Sequence, residues 1–162
     1  MSVSVYPTID PELHFSAQTY RGKVVLITGA SRGIGAETAL AYARAGASVA
    51  ILARWKQTLD ERAAEIRSSI PSAQIFVVPT DVRDAQAVNA AVKATLSRFE
   101  KIDIVIANAG TATGLSERTS IPQLKTREKT VHFSRRLVHA KDPDGWWNTF
   151  EVNIRGVYNT LR

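Results

Sequence analysis

Four short apolar runs, KVVLITG (23–29), SVAILAR (48–54), AQIFVVPTD (73–81) and IDIVIANAG (102–110), alternate along this chain with helical patterns. The runs are rich in Val and Ile and continuous rather than alternating, as strands buried on both faces are. Between them, residues 34–46 end at a glycine stop and residues 57–69 carry the charged LDERAAEIRSS. Residues 84–99 repeat Val88, Ala91, Val92, Thr95, Leu96 and Phe99 at helical spacing. This order predicts right-handed crossovers and an α/β doubly wound parallel sheet with helices on both faces. For strands laid out 3-2-1-4, a ligand crevice lies outside their carboxyl ends, between the first and the fourth.

The first run breaks into TGASRGIG (28–35), with glycines at Gly29, Gly33 and Gly35. The spacing is G-x-x-x-G-x-G rather than the commoner G-x-G-x-x-G, but it has a strand before it and a helix after it, as a diphosphate site requires. Gly29 permits a tight exit turn. Gly33 and Gly35 let backbone approach a pyrophosphate, and the helix N-terminus offers free N–H groups and a positive dipole to the anion. A merely tight strand-to-helix turn needs one glycine, seldom three.

Composition narrows the classes. At 162 residues and 44% hydrophobic content the chain has one domain's worth of core. No run approaches the roughly 18 apolar residues of a membrane span. The start MSVSVYPTIDPELHF lacks the pattern of a signal peptide, so the expected compartment is the cytoplasm, with no membrane partner. The absence of cysteine excludes disulfides and thiol chemistry, and His14, His132 and His139 give no metal spacing. Of the net charge of +6, residues 115–141 supply +5, with seven Lys/Arg against two Glu. The high charge therefore belongs to one segment, and nucleic acid is not expected as a partner.

TGASRGIG (28–35), DV (81–82) and NAG (108–110), each at a strand's end, resemble the short-chain dehydrogenases/reductases of standard length. The resemblance is close over residues 20–112 and resumes at DPDGWWNTFEVNIRG (142–156). It implies a Rossmann-like domain over 21–162, preceded by an N-terminal arm over 1–20 and truncated after the fourth strand and the following helix. It also implies an oxidoreductase that interconverts an alcohol and a carbonyl of a small-molecule substrate by hydride transfer. Thr28, Gly29, Ser31, Arg32, Gly33, Ile34 and Gly35 would then hold the dinucleotide. Asp81 would hydrogen-bond the adenine ring and Val82 line its pocket. The backbone of Asn108, Ala109 and Gly110 would pass the cofactor ribose, with Asn108 bracing the sheet. Taken alone, Asp81 reads as a helix cap or a solvated acid.

Charge selects between cofactors. NAD-binding folds place an acid after the second strand to grip the ribose 2′-hydroxyl, and that acid repels a 2′-phosphate. Here Ala53 stands near the acid's place and Arg54 follows it, while Arg32 lies in the glycine loop. A guanidinium binds phosphate bidentately, which predicts NADP(H), with NAD(H) the less favoured; the bland alternative is two ordinary surface arginines.

Residues 142–162 read as a helix capped by Asp142 or Asp144 beside Pro143, with Trp147, Phe150, Ile154, Tyr158 and Leu161 in one apolar stripe. In the resembled family an asparagine in the N-x-x-G context kinks this helix and holds a water that relays protons, which makes Asn153 the catalytic candidate. The alternative is an amide satisfying its own helix backbone. The family's catalytic serine and Y-x-x-x-K are absent: Tyr6, Tyr20, Tyr42 and Tyr158 are followed four residues on by Asp10, Val24, Gly46 and Arg162. Without that acid/base the chain alone is expected to be inactive. It is then the cofactor-binding half of a reductase or, alternatively, an inactive nucleotide-binding or dimer-interfering fragment. In the family, the helix at 146–161 contributes to a homo-oligomer. Without the family's later strands, the sheet edge and the apolar stripe are expected to be uncovered. The basic segment 115–141 reads as a solvated insertion near the cleft, a docking patch, or translated sequence that splicing should remove; the last, together with the end at Arg162, is favoured.

Overall fold

The structure is a computed structural model, and it describes residues 10–112 and 143–162. Asp142, His132, His139 and the segment 115–141 lie outside the described residues.

Four parallel strands form the sheet: β1 (Val24–Thr28), β2 (Ser48–Ala53), β3 (Ile75–Pro79) and β4 (Ile104–Ile106). Their order is β3-β2-β1-β4, as the alternation of elements predicts. β1 lies inside, with Leu26 opposite Ala50 of β2 and Val105 of β4, and all five of its residues are buried. That burial is why the run reads as unbroken Val, Leu, Ile and Thr.

Alternate side chains of each strand go to opposite faces. On one face Val25, Ile27, Val49 and Ile51 meet helices α2 (Gly33–Arg44) and α3 (Lys56–Ser69) through Ala39, Ala43, Leu59, Ala63 and Ile66. The alanines of α2 leave no bulk between helix and strand, so its N-terminus is held close to the end of β1. On the other face Leu26, Ala50 and Leu52 pack with Ala91 and Val92 of α4 (Ala85–Phe99). Asp84 caps α4 by accepting from the N–H groups of Gln86 at 2.8 Å and Ala87 at 3.1 Å.

The expected N-terminal arm contains a helix, α1 (Pro11–Ala17), started by the Asp10 side chain on Glu12 N–H. Gln18 follows it and donates from Nε2 to Arg44 O at 2.7 Å, fastening α1 to the end of α2.

The single helix expected over 142–162 is three segments: α5 (Pro143–Phe150), a π-helical turn (Glu151–Arg155) and α6 (Gly156–Leu161). Asp144 lies within the first turn of α5 and is not its cap. Gly156, Asn159 and Thr160 face inward and are buried. The apolar stripe faces solvent, with Trp147 57%, Ile154 59% and Tyr158 65% exposed. Trp146 packs on Phe150 of the stripe at a tilt of 43°, with ring centroids 4.4 Å apart. No helix among the described residues is long and apolar enough to cross a membrane.

Candidate dinucleotide site

The carboxyl ends of the strands open into a cleft of about 690 Å³. Its floor is where β1 and β4 end side by side. Thr28 is buried, and its Oγ1 accepts from the N–H groups of Asn108 and Ala109, both at 3.1 Å. Asn108 returns the contact, donating from Nδ2 to Thr28 O at 3.0 Å and Gly29 O at 3.3 Å. Asn108 and Thr28 thus hold the ends of β4 and β1 together reciprocally. This bracing uses groups that a strand end otherwise leaves unpaired.

The glycine loop leaves no room for a side chain at two places. Gly29 has φ +69, and a Cβ there would stand 2.7 Å from Ala109 Cα. A Cβ on Gly35 would collide with Asn108 Nδ2 and lie 2.5 Å from Gly29 O. Thr28 and Gly35 thus form the rear of the site and do not reach the cleft, whereas Gly29, Ser31, Arg32, Gly33 and Ile34 line it. Arg32 occupies the N-cap position of α2 in extended conformation and makes no side-chain cap. No acidic residue lies in the first turn of α2. The N–H groups of that turn have no side-chain cap, beside an arginine, where an anion is best stabilised.

Arg54, Asp81, Val82, Asn108, Ala109 and Gly110 also line the cleft, so the structure brings together the residues expected from β2, β3 and β4. Ala53 lines it where an acid would have stood. The Asp81 carboxyl is held below the usual carboxylate range, first by hydrogen bonds from the Arg83 side chain, with Arg54 adding a smaller charge effect. Arg83 donates from Nε to both carboxylate oxygens, at 3.1 and 3.0 Å, and from Nη2 to Oδ2 at 2.6 Å.

Sequence reasoning missed the contribution of α3. Trp55 lines the cleft together with Thr58, Arg62 and Glu65, spaced three, seven and ten residues further on. That spacing is one line along a helix, legible once α3 is placed after β2. Arg62 pairs with Glu65 at 2.8 Å, so its charge is shared with an acid. Thr111, Asn148 and Val152 close the opposite side. Asn153 does not itself line the cleft; it stands behind Thr111, bonded to that residue's backbone. Among the described residues no group of three or more His, Cys, Asp or Glu could hold a metal ion.

A family model described as short chain dehydrogenase matches residues 23–162. The short chain dehydrogenase mpl6 of Monascus purpureus is 34% identical over 161 residues, which cover 97% of this chain and 47% of that protein. The chain spans about half the length of the curated relatives it matches. Among solved structures, the 3-ketoacyl-(acyl-carrier-protein) reductase from Brucella melitensis complexed with NADH aligns with a TM-score of 0.66 at 32% identity, over 88% of this chain and 48% of that one. A metagenomic short-chain oxidoreductase in complex with NADP aligns with a TM-score of 0.68 at 26% identity, over 89% and 55%.

Proposed function

The chain belongs to the short chain dehydrogenase family, and from that premise we propose that it binds NADP(H) in preference to NAD(H), as the cofactor-binding half of an alcohol/carbonyl oxidoreductase. The observation that carries the reading is the placement of two arginines at the cleft, one in the glycine loop and one directly after β2. Arg32 and Arg54 line it, and Ala53 stands where an acid would reject a 2′-phosphate.

Each group has a task. Gly29, Ser31, Gly33 and Ile34 bring backbone and the α2 N-terminus to the pyrophosphate. Arg32 and Arg54 take the 2′-phosphate, for which a planar guanidinium fork is suited. Asp81, held ionised by Arg83, accepts from the adenine amino group, and Val82 packs on the ring. Asn108 keeps Gly29 and Ala109 at the spacing that leaves room for the ribose. The bound nicotinamide supplies the hydride. Asn153 belongs to the proton relay and acts through the segment that Thr111 begins.

The complete reaction needs a proton donor, and the 162 residues hold no Tyr-x-x-x-Lys. The reading therefore includes binding without turnover by this chain alone, in the cytoplasm. A second reading, a nucleotide-binding partner that engages other copies of the family, is favoured by the solvent-facing Trp147, Ile154 and Tyr158.

Replacing Arg54 tests the cofactor assignment. Arg54→Asp should weaken NADPH binding on the order of tenfold or more and spare NADH, because a lost charge-assisted contact is joined by repulsion. Unchanged preference would show that Arg54 does not read the phosphate. NADPH oxidation with a panel of ketones and aldehydes should show no turnover.

A further inference from the structure

We infer that Arg83 is a positioning residue that aims the Asp81 carboxylate at the adenine ring and couples that recognition to the helix carrying Asn153. The inference rests on the proposed dinucleotide reading and adds to it a group outside the cleft lining.

Asp81 and Arg83 lie two residues apart at the end of β3, and their side chains close into a fork. Besides the three side-chain contacts, the Arg83 backbone N–H donates to Asp81 Oδ1 at 3.0 Å. Among the described residues, Arg83 alone thus supplies the hydrogen bonds on this carboxylate. Both side chains remain about one-third exposed, 35% for Arg83 and 30% for Asp81. A pair that exposed contributes little to stability, so orientation is the better account of so complete a grip. The carboxylate cannot turn without breaking several contacts; each oxygen accepts two hydrogen bonds from Arg83, and the adenine amino group would share one of these oxygens with the guanidinium.

The guanidinium has one more contact. Nη1 donates to Asn148 Oδ1 at 2.8 Å, across 65 positions of sequence, onto α5. From α6, Asn159 Nδ2 donates to Val82 O at 2.9 Å and to Arg83 O at 3.3 Å. A Cβ on Gly156 would lie 2.6 Å from Val82 Cγ2, so the loop also packs against bare backbone there. The three residues 81–83 are therefore fastened to the helical segments on both sides of the π-turn that holds Asn153. A mere loop fastener would need Asn159 alone, whereas the Arg83 fork is spent on the carboxylate that faces the ligand.

Recognition of the adenine amino group separates the two roles. NADPH is compared with its hypoxanthine analogue, which presents a keto oxygen where adenine presents the amino donor. The chain should bind NADPH more tightly, and Arg83→Met should lower that ratio on the order of tenfold, toward one. Arg83→Lys keeps charge without the fork and should lower it less; it carries the test if the methionine variant does not fold. An unchanged ratio in a folded Arg83 variant overturns the inference while the dinucleotide reading stands. Failure of the unmodified chain to bind either dinucleotide overturns that reading and the inference with it.

Discussion

The Asn153 carboxamide grips the backbone of Thr111 at both ends: Oδ1 accepts from Thr111 N–H at 2.8 Å, and Nδ2 donates to Thr111 O at 2.9 Å. Thr111 lies just beyond the NAG loop and lines the cleft, and Asn153 sits inside the π-turn Glu151–Arg155. A π-turn shifts one step of the helical hydrogen-bond ladder, here Gly156 N–H to Glu151 O, and such turns recur at functional sites. The contact joins the β4 end of the cleft to the last helix.

Replacing Asn153 distinguishes the two halves of that grip. Asn153→Ala removes both bonds and should cost about 1 kcal/mol of stability. Asn153→Asp should cost more near neutral pH, because the new carboxylate sets oxygen against Thr111 O where a donor stood. Acidification protonates it and restores a donor. Urea unfolding of both variants across pH checks the crossover.

Gly35→Ala should damage fold and site together. Its Cβ meets Asn108 Nδ2 and Gly29 O, so either the bracing of β1 by β4 or the close approach of α2 must yield. Overpacking of this kind costs about 1–3 kcal/mol. Thermal unfolding should show that loss, and titration with NADPH should show binding lost with it.

Acid should destabilise the chain chiefly through Asp103, the exposed Asp81–Arg83 pair adding little. Asp81 and Asp103 both titrate below the ordinary range, Asp81 first through Arg83 side-chain hydrogen bonds and Asp103 first through the Val24 backbone N–H. With native pKa values depressed, their contribution is complete above the unfolded value of about 4 and is lost as pH falls through the native values. The Asp103 bond, Val24 N–H to Oδ2 at 2.8 Å, ties the start of β1 to the approach to β4. Asp103→Asn should therefore flatten part of the fall in urea midpoint below about pH 4.

The exposed stripe of the last helix should make the chain associate. Trp147, Ile154, Tyr158 and Leu161 are each more than half exposed, a continuous apolar face of the kind that marks an interface. Sedimentation should show mass rising with concentration, and Trp147→Lys should bring it back toward a monomer. A monomer at all concentrations would remove the helix from the proposed oligomer contact.

The sheet was legible because burial on both faces writes itself as continuous Val and Ile, and the glycine loop because its glycines satisfy contacts no side chain could. Helix α1 was legible too: Asp10, Pro11 and Glu12 are a cap, a favoured first helical residue and an acid near the positive end of the dipole. Reading residues 1–20 as an arm passed over that signal. The π-turn was legible only as the kink that the resemblance implies at Asn153, and its shifted hydrogen bond was not. Nor was the Arg83 grip on Asp81, whose completing partner Asn148 comes near only when α5 lies beside the end of β3.

The glycine loop, Arg32 and Arg54 are proposed to form a site for a 2′-phosphorylated dinucleotide. Calorimetric titration of this chain with NADPH and with NADH tests it most directly. Binding should saturate at one dinucleotide per chain and be tighter for NADPH on the order of tenfold or more. Equal or tighter binding of NADH would contradict the cofactor assignment, and no binding of either would contradict the site.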